Sequence, residues 1–342
     1  MKQRYVLGLL LAAGLGGAGC KEDVYVLDAY STLRYDVLKL PTPADTMKLT
    51  AVEFVSAREG FVGGTGGAIF ATTDAGLTWV RRPALGTATI NKLVFSSPTT
   101  GWACTSTGLY RTANGGQTWL GVRTYDSWTG AMTDVADVQL VTAQIGYAVG
   151  DNGGLYKTTN GGTTWNSLNS RRDKSYAFKA VSFTSPDSGM AVGDKRARWF
   201  TTNGGLNWDF YDDPGSLPRP YYDALRYGPR NYLLATETGF EVSELLNANG
   251  GYSLIAEPDE TYHYPVYGLA AASARGPWVG VGERTIVRYH PEFSKKPHTP
   301  WANVHRADGT SFEDTYYAAD FADASTFFAV GPRGLIHRFH YQ

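Results

Sequence analysis

The sequence predicts an all-β protein: a seven-bladed β-propeller of four-stranded blades, its ring closed by an N-terminal strand. Three observations carry this. An octet of turn residues ending in tryptophan recurs at a spacing of about 44 residues. Two apolar phrases precede each octet. The 342 residues include 40 glycines and 13% aromatics, as many short strands joined by tight turns require.

The octets are TTDAGLTW ending at Trp79, TANGGQTW at Trp119, TTNGGTTW at Trp165 and TTNGGLNW at Trp208. Their third residues are Asp74, Asn114, Asn160 and Asn203. A degraded copy, NANGGYSL, surrounds Asn249 with Leu254 in the tryptophan position. Upstream stands a phrase such as GYAVGDNGGLYKTT or GMAVGDKRARWFTT, and before that a short apolar run such as AVSFT. Each unit therefore reads as strands a, b, c and d, with the octet as the c–d hairpin and its tryptophan opening strand d. Strand c of the seventh unit runs to the last residues. The alternating run LRYDVLKL, Leu33 to Leu40, has no unit of its own. An open ring would leave an unpaired edge, so this run is expected to supply the last outer strand.

The octet's chemistry suits a hairpin. Asn and Gly at the centre tolerate positive φ, and the Asn side chain reaches nearby backbone. The tryptophan offers surface to pack between blades. These residues resemble the Asp-box, or bacterial neuraminidase repeat, S/T-x-D-x-G-x-T-W. In that family the box is a structural hairpin remote from any active site. The resemblance implies a structural role for Asp74, Trp79, Asn114, Trp119, Asn160, Trp165, Asn203 and Trp208. A calcium site at each turn is disfavoured, because hard cations want carboxylates and most boxes carry neutral Asn. No metal or cofactor is expected.

The longer phrases resemble the photosystem II stability and assembly factor family, seven-bladed propellers of this length. The likeness is strongest from Ala51 to Trp208. It implies a non-enzymatic assembly or binding scaffold and names no ligand.

The first twenty residues stand apart. Lys2 and Arg4 precede an apolar run from Tyr5 to Leu15, too short to span a bilayer. Small residues then lead to Cys20. This resembles a bacterial lipoprotein leader, implying lipidation of Cys20 and an outer-membrane or cell-surface location. An ordinary cleaved signal with an incidental cysteine is the alternative. The organisation read is a leader over 1–20, a tether over 21–32 and a single propeller over 33–342. Cys104, the other cysteine, lies in an apolar strand and reads as a buried hydrophobe. The formal net charge of −1 gives no reason to expect nucleic acid. The expected chain is a monomer with a protein partner in the envelope.

With strand a innermost, the a–b and c–d turns share one face and the b–c turns and d–a connections the other. The second face carries the long, variable segments, where binding usually lives. Its candidates are Arg123, Tyr125, Arg171, Arg172, Tyr176, Arg219, Tyr221, Tyr222 and Arg306, residue types enriched at protein interfaces. The b–c turns bring Asp194, Arg196, Glu283, Arg284 and Arg333 to the channel mouth. These groups fit either a polar ligand or a solvated rim.

The rival reading is a glycan-binding or glycoside hydrolase propeller of sialidase type. Glycoside hydrolysis usually needs two carboxylates across a cleft. Asp212, Asp213, Glu257, Asp259, Glu313 and Asp314 are available, none in a recognisable motif. The sequence has no H-E-x-x-H, Cys cluster, G-x-S-x-G or phosphate loop. His337 and His340 fall on opposite faces of one strand by parity. No catalytic residue is assigned.

Overall fold

The computed structural model describes residues 34–41, 46–122, 124–125, 133–168, 176–211, 219–227, 231–245, 252–256, 264–273, 276–289, 301–303 and 312–340. They form seven antiparallel sheets around a channel. The innermost strands are Leu49–Phe54, Ile90–Phe95, Val135–Leu140, Phe178–Phe183, Tyr221–Arg226, Val266–Ala271 and Ala318–Asp323, one from each of blades 1 to 7. Each packs against the same strand of both neighbouring blades, and the last packs against the first.

The ring closes as the sequence predicts. Arg34–Leu38 pairs antiparallel with Ile336–His340, from Arg34 opposite His340 to Leu38 opposite Ile336. Asp36 fastens the strand: Arg338 donates to it at 3.0 and 2.5 Å, and His340 Nε2 lies 3.3 Å away. Arg338 also donates to the carbonyl of Ala75 in blade 1 at 3.0 Å, so one guanidinium ties the closing strand across the seam. His337, on the other face of its strand, is buried against the Tyr316 hydroxyl at 2.8 Å.

Blade 3 departs from the four-stranded plan. Thr124–Tyr125, from the connection that enters it, lies parallel to Trp165–Ser167 as a fifth strand. The outer strand's free edge offers unpaired backbone groups, and the returning connection satisfies some of them.

The seams between blades explain the repeated phrases. The aromatic that ends strand a stacks on the aromatic of strand b in the preceding blade: Phe54 on Phe328 at 3.9 Å, Phe95 on Phe61 at 3.8 Å and Phe183 on Tyr147 at 3.6 Å. The octet's tryptophan then meets that strand-a ring edge-on, Trp79 at 6.4 Å, Trp119 at 6.1 Å and Trp208 at 6.2 Å. In blade 3 Leu140 replaces the phenylalanine, and Trp165 goes fully buried against the blade 2 residues Trp102 and Leu109. Strand b opens with glycine because the strand-a ring lies over it. A Cβ on Gly60 would sit 2.7 Å from the Phe54 ring. Cys104 is fully buried, as its apolar strand predicts, and burial pushes its thiol pKa up.

The octet turn differs in one detail from expectation. Asp74, Asn114, Asn160 and Asn203 do not take positive φ; the two residues after each do, Ala75 and Gly76, then Gly115 and Gly116, Gly161 and Gly162, Gly204 and Gly205. The third residue instead braces the turn through its side chain. Asp74 Oδ1 accepts from the Thr72 hydroxyl and the Thr78 amide, both at 2.8 Å, while Oδ2 accepts the Thr78 hydroxyl at 2.6 Å. Asn160 copies this, except that its Nδ2 donates to the Thr164 hydroxyl at 2.8 Å. A hydroxyl both donates and accepts, so Asp and Asn serve equally. The fifth turn, around Asn249, lies outside the described residues.

This difference makes a prediction. Its hydrogen bonds from Thr78 hold the Asp74 carboxyl at about 2, below its ordinary range. A depressed folded pKa stabilises above the unfolded pKa and loses that contribution as pH falls towards 2. Asp74→Asn should leave the melting temperature at pH 7 nearly unchanged and flatten its fall between about pH 4 and 2. An unaltered acid limb in the variant would remove Asp74 from the account of acid unfolding.

Candidate binding site at the channel mouth

The two faces are built as expected. On the octet face the turn amides of Ala75, Gly115, Gly161 and Gly204 donate to the a–b turn carbonyls of Arg58, Thr99, Gln144 and Asp187 at 2.9 Å. On the other face the b–c turns bond to the d–a connections: Gly153 N to Tyr176 O, Arg196 N to Arg219 O, Arg284 N to Asp314 O and Gly334 N to Met47 O.

The innermost strands have an inner edge with nothing beyond it but the channel. Their amides are capped by side chains from the preceding blade. Asp320 accepts from Phe54 N at 2.6 Å, Glu53 from Phe95 N at 3.1 Å, Asp137 from Val181 N at 3.0 Å and Asp223 from Leu269 N at 2.8 Å. Gln139 and Ser182 do the same for Phe183 and Arg226. This satisfies backbone groups that would otherwise be orphaned. It also concentrates carboxylates in the channel. Burial pushes Asp137 and Asp320 up to about 6, and burial with the neighbouring Asp320 raises Glu53 well above its ordinary value. Burial alone would lower Lys92; Asp223, Asp137, Glu53 and Asp320 together raise it instead.

Above these groups the mouth opens as a cavity of about 80 Å³ on the b–c face. One wall is a row of half-buried tyrosines from blades 5, 6 and 7. Tyr222 meets Tyr267 edge-on at 5.1 Å, and Tyr267 lies 6.1 Å from Tyr317. The opposite wall holds Thr50, Asn91, Ala136 and Lys179, and the floor holds Lys92, Asp137 and Asp223. Burial first, then the charges of Glu283 and Glu237, raise the Tyr267 phenol; burial, Glu237 and Asp194 raise Tyr222.

The rim is made by the b–c turns. Three of them carry an exposed cation at positive φ: Lys195 at 57°, Arg284 at 51° and Arg333 at 58°. The equivalent turn of blade 1 uses Gly66. Lys195 lies over the Tyr176 ring at 5.0 Å, and Arg284 pairs with Glu313 at 2.7 Å. Arg333 makes no ion pair among the described residues. Glu283 is exposed on the rim, and Asp194 is a half-buried turn residue whose amide donates to Ala177 O.

Two expected surface residues are placed elsewhere. Tyr221 is fully buried in the seam between blades 4 and 5, its hydroxyl donating to Glu241 at 3.0 Å. Arg196, expected at the mouth, donates to the same carboxylate at 2.5 Å and lies over the Tyr221 ring at 5.3 Å. The reason is a β-bulge: the pairing passes from Tyr221 opposite Thr236 to Asp223 opposite Ala235 and skips Tyr222, so Tyr221 enters the seam and Tyr222 turns to the channel. Arg219 is half-buried, 3.8 Å from Glu237. Tyr125 pairs opposite Asn166 in the added strand of blade 3. Arg123, Arg171, Arg172, Arg306 and Cys20 lie outside the described residues. So do Asp212, Asp213, Glu257 and Asp259 of the rival reading; its Glu313 is paired with Arg284, and Asp314 supplies a turn carbonyl.

Sequence reasoning missed Tyr267, Lys92, Asp137 and Asp223. A signal was present. Strand a is otherwise apolar, yet several copies carry one charge at the same register, as in KLVFS, DVQLV and DALRY.

Comparison with known proteins agrees with this architecture. The sequence profile of the family Photosynthesis system II assembly factor YCF48 matches residues 129–243. The chain resembles the photosystem II assembly factor propellers. The match covers blades 3 and 4 and runs into the third strand of blade 5, shifted towards the C-terminus from the region where the likeness was expected to be strongest. A structure of YCF48 bound to D1 peptide superposes with a TM-score of 0.68 at 16% identity, covering 90% of this chain and 96% of that one. YCF48 from Cyanidioschyzon merolae gives 0.66 at 17% identity, covering 90% and 98%. An ancestral GH74 enzyme gives 0.58 at 14% identity, covering 91% of this chain but 53% of its own. At these identities the superpositions establish the fold alone. No curated protein matches the sequence.

Proposed function

We propose that the protein is a non-catalytic scaffold that binds a protein partner through the b–c face, as a monomer exported and lipid-anchored at Cys20. One observation carries the reading: the two faces treat their polar groups in opposite ways. On the octet face the side chains at each turn's centre bond within the turn. On the b–c face Lys195, Arg284 and Arg333 hold exposed charges at left-handed backbone positions, around a tyrosine-walled mouth. A non-glycine residue there costs on the order of 1–3 kcal/mol, and such strain clusters at functional sites. The resemblance to an assembly factor family, one member of which has been seen with a bound peptide, supports the reading.

The test separates strain from function. Arg333→Gly removes the left-handed penalty but adds chain entropy of about 0.5–1 kcal/mol, so stability should hold or rise by up to about 2.5 kcal/mol. The triple variant Lys195→Gly, Arg284→Gly, Arg333→Gly should recover far less crosslinked partner from native membranes, read by mass spectrometry. Undiminished recovery by a folded triple variant would remove the rim cations from the partner surface. Turnover of a glycan by the wild-type protein, abolished by changing one loop carboxylate, would favour the hydrolase instead.

A further inference from the structure

We infer that the channel mouth is a receptor for a single arginine side chain of the partner, its guanidinium lying along the Tyr222–Tyr267–Tyr317 wall and directed at Asp223. This rests on the reading of the b–c face as a partner surface and names what that surface takes into its centre.

Charge decides the sign of the occupant. Three carboxylates, Asp137, Asp223 and Asp320, surround one deep ammonium, Lys92, together with Glu53, which burial and Asp320 push towards its neutral form. On the far wall burial and Asp134 raise the Asp151 carboxyl, and Lys179 offsets only part of that rise. At the floor beside the tyrosines Lys92 is outnumbered, and the excess is negative. Beyond the effect of burial, Glu283 and Glu237 at the rim raise the Tyr267 phenol, and Glu237, 3.8 Å from Arg219, raises that of Tyr222. Glu283 is exposed and makes no ion pair among the described residues. Of the rim cations, Lys195 lies over Tyr176, Arg284 pairs with Glu313, and Arg333 makes no ion pair among the described residues. Beside Asp223 and Glu283 an anionic occupant would meet repulsion, and a cation completes them.

Shape and surface decide which cation. The tyrosine row presents ring surface to the cavity, with the rings tilted rather than packed flat on one another, Tyr222 on Tyr267 at 78° and Tyr267 on Tyr317 at 44°. Ring faces attract cations, arginine most often. A guanidinium is flat and weakly hydrated, so it stacks on rings and enters a small cavity more readily than a compact, strongly hydrated ammonium. About 80 Å³ admits one such head group and no folded element. Asp223 uses each oxygen once already, Oδ1 for the Ala224 amide and Oδ2 for the Leu269 amide, both at 2.8 Å. Each carboxylate oxygen has a second lone pair for a fork donor.

The test uses the whole protein labelled with 3-fluorotyrosine, the three wall resonances assigned by Tyr222→Phe, Tyr267→Phe and Tyr317→Phe. The probes are the amides of N-acetylarginine, its uncharged isostere N-acetylcitrulline, and N-acetylglutamate. The arginine probe should shift the three resonances saturably; the citrulline and glutamate probes should leave them in place. Asp223→Asn, which keeps an acceptor for the Leu269 amide, should weaken the arginine probe at least tenfold, as should Tyr267→Ala. Glu283→Gln, at the exposed rim, gives a second variant free of folding effects and should weaken it two- to threefold. Equal shifts from citrulline, tighter binding of the glutamate probe, or no saturable shift from arginine would each overturn the inference. The partner surface fails separately, through undiminished recovery with the triple glycine variant.

Discussion

Trp165→Ala should destabilise the propeller by about 3–5 kcal/mol, the range for truncating a buried tryptophan. The expectation rests on its place. Trp165 is fully buried and packs in one cluster with Trp102, Cys104 and Leu109 of blade 2 and Val135, Val138 and Tyr156 of its own blade. Its removal empties a volume that two rigid sheets cannot collapse to fill. Gly162 shows how tight the site is: a Cβ there would fall 2.5 Å from the Trp102 indole nitrogen. Trp165→Phe should cost less than the alanine variant. Trp119, which is half-buried, should show a smaller loss on the same substitution. Chemical denaturation of the three variants reads the order; a Trp165→Ala midpoint equal to wild type would refute the packing role. Partner recovery should survive in conditions where the variant remains folded, because the octet lies on the face opposite the channel mouth.

Removal of residues 33–40 should have the largest effect on the ring. The strand contributes Tyr35, packed against Phe312 at 5.4 Å and Phe339 at 5.8 Å, and Leu38, which packs on the blade 7–blade 1 seam. It also contributes Asp36, the partner of Arg338 and His340. Without it, Ile336–His340 becomes an exposed edge, a template for pairing with another chain. The shortened protein should unfold at markedly lower denaturant and form concentration-dependent oligomers, seen by light scattering. Amide exchange should accelerate first in Ile336–His340. A peptide of residues 33–40 added in trans should restore protection there. A shortened protein that stays monomeric, with wild-type protection in that strand, would show that the ring does not depend on this closure. Asp36→Ala is the milder test. Arg338 holds the Asp36 carboxyl below its ordinary range, so the clasp acts above that range and is lost as pH falls. Both groups are partly solvated, which keeps its worth small.

The sequence by itself determined the period, the number of blades, the identity of the turn residues and the strand that closes the ring. These are local or repeated properties. A hairpin needs its glycines within a few residues, and a strand announces itself by alternation. A seventh unit ending at strand c, with an alternating run left over near Leu33–Leu40, leaves one economical way to pair the last edge. Even the face expected to vary could be read, because repeats that stop resembling one another are visible without coordinates.

Only the tertiary structure decided what the individual side chains do there. Tyr221 and Tyr222 are adjacent and alike in sequence, yet one is buried in a seam and the other lines the channel. That assignment depends on register across a sheet, which shifts at the bulge between Tyr221 and Asp223. Arg196 and Arg284 occupy similar turns, yet the first meets Glu241 of the next blade and the second stays at the rim. The channel carboxylates are scattered from Glu53 to Asp320, and only the closed ring brings them within reach of one lysine. Charge, burial and strain at the mouth are sums over residues distant in sequence, and folding is the step that performs the sum.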